Sequence, residues 1–420
     1  MSALNVTRKA WALLAYTVAD DKGGGRSIDT PVKEELKALC DSADFGQVSI
    51  AAQVDFKRTR GVFRGALTAA PPKGRDFEDV RAEHHPLWRK ILGNIRRSTL
   101  RVQMERQNLN SARADVLQEF LRFGHQECPA DRYVIFFYGH AYGPMGLFYD
   151  TDANRRDAST LRLNDLAGSM QAIDGRASIV VFRDCFMNTL ETAFQLRGIG
   201  EFMIASQSVA PIAGIWPWLN FLAVLLPSAQ SGEVARALAM QLARFLDEPA
   251  NRGPFADVPI ALLDLGEADG ITEPLKALTD ALEEARRDPP RCRACANALE
   301  GARVGYPGDP SNPGDPALLD VPTMCDNLQR LDPDPVAGPA KALGEVVSSR
   351  LVCWHHSQKG RFRGTSIYYK PVKAKDLERS YIQAGSEADA ETDAVAYRHL
   401  ALNEATGWHR VALNPLALLS

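Results

Sequence analysis

The sequence predicts an α/β fold, a mainly parallel central sheet flanked by helices, with a further α/β lobe towards the C-terminus. Three observations carry this. Short runs of β-branched and aromatic residues alternate with segments of helical apolar spacing. Residues 134–137 (Val-Ile-Phe-Phe) and 179–182 (Ile-Val-Val-Phe) are apolar at every position, the pattern of strands covered on both faces. Between them, residues 161–173 have helical spacing and can supply the crossover that a parallel pair requires.

In chain order, residues 11–19 read as the first strand and 20–26 as a loop. Its Gly23-Gly24-Gly25 lacks the Gly-x4-Gly-Lys-Ser/Thr spacing of a phosphate loop. A helix is expected over 30–40, with Pro31 in its first turn. Residues 47–55 form a second strand and 59–67 a hairpin arm. After the breaker cluster at 69–74, His84-His85 has no Cys, Asp or Glu at ligand spacing and reads as a solvated loop. The basic run to Arg106 reads as a helix with Arg96, Arg97, Arg101 and Arg106 on an exposed face. Asn110-Ser111 can cap a helix over 112–123, and Cys128-Pro129-Ala130-Asp131 links it to the next strand.

Further helices are expected over 188–198, closed by Gly198, and over 234–246, 275–285 and 339–350. Strands are expected at 201–205, 258–265 and 364–371. The Pro, Gly and Asp content predicts an exposed loop at about 286–322. Cys292-x-x-Cys295 inside it has no second ligand pair, so two surface thiols are expected and no metal. His355, His356 and His399 read as surface or core histidines. The organisation expected is a catalytic domain over 1–245 and a C-terminal subdomain over 246–420 packed on it.

The chain has 420 residues, 45% apolar and 24% charged, enough for a large core. A net charge of −3 gives no general attraction to nucleic acid or to an anionic membrane. Seven scattered cysteines without a framework pattern fit a reduced, cytoplasmic protein. Residues 1–9 lack an apolar signal core, and no run of 18 apolar residues occurs, so neither secretion nor membrane insertion is expected.

Two strand ends carry reactive side chains. Cys185 follows the strand at 179–182, and His140 follows the strand at 133–138, about 45 residues upstream. In open α/β sheets ligands bind at that carboxyl edge. A cysteine nucleophile needs a base, and adjacent parallel strands bring the imidazole within reach of the thiol. The helix beginning after Cys185 would also favour a thiolate.

Asp184-Cys185-Phe186-Met187, Leu190-Glu191, Ala193 to Arg197 and Met203 to Gln207 together resemble the clostripain family of cysteine peptidases, within the caspase-like clan. Pro211 to Gly214, Gly364 to Pro371, Tyr397 to Leu400 and Thr406-Gly407-Trp408 extend the resemblance. It implies a caspase-like three-layer sandwich and peptide hydrolysis with no cofactor. Cys185 is then the nucleophile, His140 the proton shuttle, and the N–H groups of Ala141 and Cys185 the oxyanion hole. Gly139, Arg183, Asp184, Ser206, Gln207 and Trp216 are the expected substrate-binding residues. Trp216, with Trp218, lines the cleft or forms an ordinary core cluster. The family carries Asp-Ala-Cys, whose aspartate lies at the base of the S1 pocket and pairs with a basic P1 residue. Here Arg183 and Asp184 replace that pair, so a basic P1 is not expected; an acidic P1, or a small or apolar one, is. Self-cutting at Arg96-Arg97 or Arg286-Arg287 is then disfavoured. The resemblance also implies an intracellular protein substrate, such as a gasdermin-like effector cut in bacterial defence. Outside peptidases, the alternatives are a catalytically silent caspase-like scaffold and an unrelated α/β binder of nucleotides or small molecules.

Overall fold

The structure is a computed structural model. It describes residues 8–18, 34, 38–39, 48–56, 61–68, 99–107, 109–149, 160–171, 177–210, 216, 218–251, 257–305, 314–372, 382 and 394–416. The expectations for the glycine loop, most of the 30–40 helix, His84-His85, Arg96-Arg97 and Pro211 to Gly214 lie outside the described residues.

Strands β1 (Lys9–Val18), β2 (Val48–Phe56), β5 (Ala130–Tyr138), β8 (Ala177–Phe182) and β9 (Gly200–Ser206) form the parallel centre of a nine-stranded sheet. With β3 (Gly61–Thr68), β4 (Thr99–Gln107), β10 (Ile260–Asp264) and β12 (Val352–His356), its order is β12-β10-β9-β8-β5-β1-β2-β3-β4. Antiparallel strands finish both sides. These are β3 with β4, and β10 with β12. The last two come from the C-terminal part of the chain and continue the same sheet.

The apolar runs explain the centre. In β8 every residue is buried; Val180 and Phe182 enter one core, Ile179 and Val181 the other. Each such side chain, fully buried, contributes about 1.5–3 kcal/mol. Helices α1 (Ala114–Glu127), α2 (Leu163–Met170) and α3 (Leu190–Leu196) cover the first core. Helices α4 (Trp218–Ala223) and α5 (Ser231–Asp247) cover the second. The result is a three-layer sandwich. Gly124 lets α1 lie close on β1, since a Cβ there would stand 2.7 Å from Leu14. The residue at which a domain boundary was expected, 245, lies within α5.

Two expectations fail. Thr99–Gln107 is a strand paired antiparallel with β3, although its arginines read as one face of a helix. Leu100, Val102 and Met104 alternate with polar residues, and that period of two decides. The stretch at 286–322 is not one exposed loop. Pro289–Glu300 forms helix α7, capped by the Asp288 carboxylate on the Arg291 N–H, with prolines in the first turn where no N–H is needed. Its apolar face buries Cys292 and Cys295, so these are not surface thiols. Asp315 is buried, and β11 (Leu318–Asp320) follows. Arg286 ends α6 (Thr272–Ala285), paired with Glu283 at 2.7 Å, so it is not in a loose loop either.

Beyond β11 the chain continues through α8 (Val321–Gln329), α9 (Ala337–Val346) and β12 to β13 (Ser366–Tyr368). Strands β11 and β13 pair as a small antiparallel sheet. Short helices α10 (Ala401–Thr406) and α11 (His409–Ala412) close the described chain. No described helix is long and apolar enough to cross a membrane.

Candidate active site

Parallel pairing sets the site. β5 and β8 run in register as far as Phe137 opposite Phe182, and the Arg183 N–H donates to the Phe137 carbonyl at 2.9 Å. Carried onward, that register puts Gly139 opposite Asp184 and His140 opposite Cys185. Adjacent strands lie about 4.8 Å apart, so imidazole and thiol leave neighbouring strand ends at one level. β9 continues the edge: Val181 is opposite Ile204, which brings Ser206 and Gln207 level with Arg183 and Asp184.

The His140 loop is a tight antiparallel turn. The Phe148 N–H donates to the His140 carbonyl at 2.8 Å, and the Tyr142 N–H to the Gly146 carbonyl at 2.8 Å. Ala141 faces Leu147 between these bonds, at a non-hydrogen-bonded position of the ladder. Its N–H therefore points away from the turn. Neither the Ala141 nor the Cys185 N–H is a donor in any hydrogen bond among the described residues, as an oxyanion hole requires. Gly139 leaves room for the Phe148 ring, since a Cβ there would meet it at 2.8 Å and the Val18 carbonyl at 3.0 Å. His140 itself is half-buried.

Cys185 is half-buried as a residue, but its sulfur lies deep. Burial pushes the thiol up to about 12, against an opposing hydrogen bond from the Ala210 N–H at 3.3 Å. That shift runs against the thiolate expected from the sequence. The cause is local: α3 starts only at Leu190, and Thr189 already accepts from the Thr192 N–H at its N-terminus. Phe186, next to Cys185, has φ 59°, a left-handed turn rare for an aromatic residue, fixed by its N–H on the Ser208 carbonyl at 3.0 Å.

Arg183 and Asp184 are both buried. Arg183 is 3% exposed, and its guanidinium carbon lies 4.7 Å from the Tyr138 ring centre, 5.5 Å from Phe245 and 6.0 Å from Trp216. Trp216 is buried and stacks among Phe136, Trp218 and Phe221. Asp184 is fully buried, and burial holds its carboxyl well above the usual carboxylate range, with the Gly139 N–H and Arg183 acting against it. Neither of its oxygens closes a hydrogen bond of normal geometry among the described residues.

Ser206 is buried, its hydroxyl bonded to the Ser208 backbone at 3.1 Å. Gln207 is buried and reaches away into the C-terminal part. Its amide donates to Ser366 Oγ at 3.0 Å and to Asp320 at 3.2 Å, and accepts from the Gly364 N–H at 2.9 Å. Asn188 donates to the Gly364 carbonyl at 2.8 Å. On the next turn, Glu191 accepts from the Tyr368 N–H at 2.9 Å and the Tyr397 hydroxyl at 2.8 Å. Sequence reasoning placed the Gly364 to Pro371 strand but not this bracing, and it missed Ala210. The polar Asn188, Gln207, Asp320 and Ser366 inside apolar surroundings were the available signal. No group of three or more His, Cys, Asp or Glu among the described residues is arranged to hold a metal ion.

Three solved structures share the fold. The secreted C11 cysteine protease of Bacteroides thetaiotaomicron, in complex with an irreversible peptide inhibitor, aligns at TM-score 0.62 and 15% identity over 95% of this chain and 99% of that one. An inactive zymogen C11 protease from Parabacteroides distasonis aligns at TM-score 0.63 and 15% identity, over 95% and 99%. The B. thetaiotaomicron secreted C11 protease "iotapain" aligns at 0.61 and 14%, over 95% and 100%. None of the curated proteins matches the chain. The sequence profile of the clostripain family, Peptidase_C11, matches residues 93–306, from before β4 to just past α7, with both strand-end residues inside. The chain belongs to the clostripain family of cysteine peptidases.

Proposed function

We propose that Cys185 and His140 form the catalytic dyad of an endopeptidase that does not select a basic P1 residue. The observation that supports the dyad is the parallel pairing of β5 and β8, whose last paired residues, Phe137 and Phe182, each stand three residues before His140 and Cys185. Burial raises the thiol's pKa, so attack is coupled to loss of its proton. The thiol proton passes to the His140 imidazole while sulfur bonds to the scissile carbonyl carbon. The carbonyl oxygen takes the negative charge and accepts from the Ala141 and Cys185 N–H groups. Collapse breaks the C–N bond, and His140 gives its proton to the leaving amine. A water, deprotonated by the same imidazole, then releases the acid and restores the thiol.

The P1 reading rests on Arg183, at the position the family fills with an S1 aspartate. A guanidinium held among three aromatic rings at that position repels a basic side chain. An acidic P1 residue, or a small or apolar one, is accepted. The substrate is an intracellular protein, a gasdermin-like effector among the candidates. The second reading, a catalytically silent scaffold, is favoured by the neutral thiol clamped against Ala210.

Fluorogenic peptides varied at P1 test these readings, with Cys185→Ala and His140→Ala as controls. Wild type cleaves after non-basic residues, and each variant loses about 10³-fold or more. Cleavage surviving Cys185→Ala refutes the dyad. Fast cleavage after Arg or Lys refutes the specificity. No turnover of any peptide or protein by the wild type supports the scaffold.

A further inference from the structure

The C-terminal helices line an open basic cavity apart from Cys185 and His140. It has a volume of about 420 Å³, within the usual range of small-ligand sites. Glu283, Arg286, Arg398, His409, Arg410 and Asn414 line it. Three guanidiniums and an imidazole thus face one carboxylate, in a chain whose net charge is −3.

Two of the guanidiniums are held in place. Arg286 donates to Glu283 at 2.7 Å and to the carbonyls of Arg410 and Asn414. Arg410 donates to Asp280 at 2.6 Å and to the Gly407 carbonyl at 3.3 Å. Gly407 is required for that fold-back: its φ is 69°, and a Cβ would stand 2.8 Å from the guanidinium nitrogens. The third cation is uncommitted. Arg398 is exposed and has neither a hydrogen bond nor an ion pair among the described residues. His409 is half-buried, and its Nδ1 closes no hydrogen bond of normal geometry. Burial lowers its pKa, and the nearby charges of Arg410, Arg398 and His399 lower it further, against a backbone contact with Asn403. The site therefore has more positive charge and more donors than its own carboxylates satisfy.

We infer that this cavity binds a multiply charged, phosphate-bearing ligand. Guanidinium forks match phosphate oxygens in geometry and charge. Two pre-set arginines reduce the ordering cost, and Arg398 closes on the ligand from the exposed side. An anion there offsets the burial and the neighbouring positive charges that lower the His409 pKa, so the imidazole takes up a proton and becomes a fourth donor.

The test is calorimetric titration of the full chain with inorganic tripolyphosphate near pH 7 and about 150 mM salt, where weak surface attraction is screened. Saturable binding is expected. Arg398→Glu, at an exposed position with no hydrogen bond or ion pair among the described residues, weakens it at least about tenfold, a loss of about 1.4 kcal/mol, and leaves the melting temperature and peptide cleavage unchanged. From pH 8 to 6, affinity rises more for wild type than for His409→Gln; the probe's own protonation is common to both. Vesicles carrying phosphatidylinositol 4,5-bisphosphate distinguish a lipid-borne phosphate from a soluble one. Either source supports the site if Arg398→Glu abolishes binding. Absence of saturable binding to both, wild-type affinity in Arg398→Glu, or equal binding of an oligoglutamate overturns it.

Discussion

Gln207→Ala separates two roles for one side chain. The sequence placed Gln207 among the substrate-binding residues, whereas in the structure its amide bonds Asp320, Ser366 and Gly364. Truncation leaves the Gly364 N–H and Ser366 Oγ without that partner. Asp320 keeps the Arg363 N–H at 2.8 Å. Two orphaned buried groups cost about 1–3 kcal/mol each, and water entering the vacated space offsets part, so a loss of about 2–4 kcal/mol is expected. The Ser208 carbonyl and Ala210 N–H, just downstream, hold Phe186 and the Cys185 sulfur. Turnover should therefore fall with stability, KM changing little. Urea denaturation with kcat and KM on one peptide measures both. A stability loss under about 0.5 kcal/mol with a raised KM would refute the bracing role and return Gln207 to the substrate.

Three further outcomes follow from the site. Cys185, with a thiol near 12, should be alkylated by iodoacetamide at neutral pH roughly 10³-fold slower than a free cysteine, its rate rising about tenfold per pH unit; a plateau below pH 8, read by mass spectrometry with exposed Cys353 as reference, would contradict the buried neutral thiol. Gly139→Ala forces a methyl against Phe148 and the Val18 carbonyl, and should cost about 1–3 kcal/mol and displace His140, seen as lower melting temperature and kcat together. Burial raises the Glu191 carboxyl above its ordinary 4.5, so the stability it allows is fully present below that value and is lost as pH rises through the folded pKa. Glu191→Gln keeps both accepted hydrogen bonds but cannot ionise, and its stability relative to wild type should rise with pH; a constant difference in urea midpoints from pH 4 to 8 counts against this.

Uninterrupted apolar runs made the parallel centre legible, and a polar turn after each run exposed His140 and Cys185. Composition misled where it overrode local grammar. Arg286-Arg287-Asp288-Pro289-Pro290 reads as a loop by proline content, yet Asp before Pro-Pro is a helix start. The arginines of β4 hid an alternation of Leu100, Val102 and Met104. What no local pattern carries is pairing across distance. Gln207 meets partners 113 to 159 residues away, and Glu191 meets Tyr397 206 residues away. The thiol's environment likewise depends on a backbone N–H 25 residues on.

That long-range bracing also governs timing during synthesis. The strand leading to Cys185 is made early, but the groups that brace its loop come from Asp320, Gly364 to Ser366 and Tyr397, and two of the sheet's strands come after residue 259. At roughly 5–20 residues per second, the ribosome needs on the order of 10–40 s between the two. A nascent chain in that interval carries Cys185 and His140 without the long-range contacts that seat the Cys185 loop. The surroundings of Cys185 are thereby completed only when nearly the whole polypeptide has emerged.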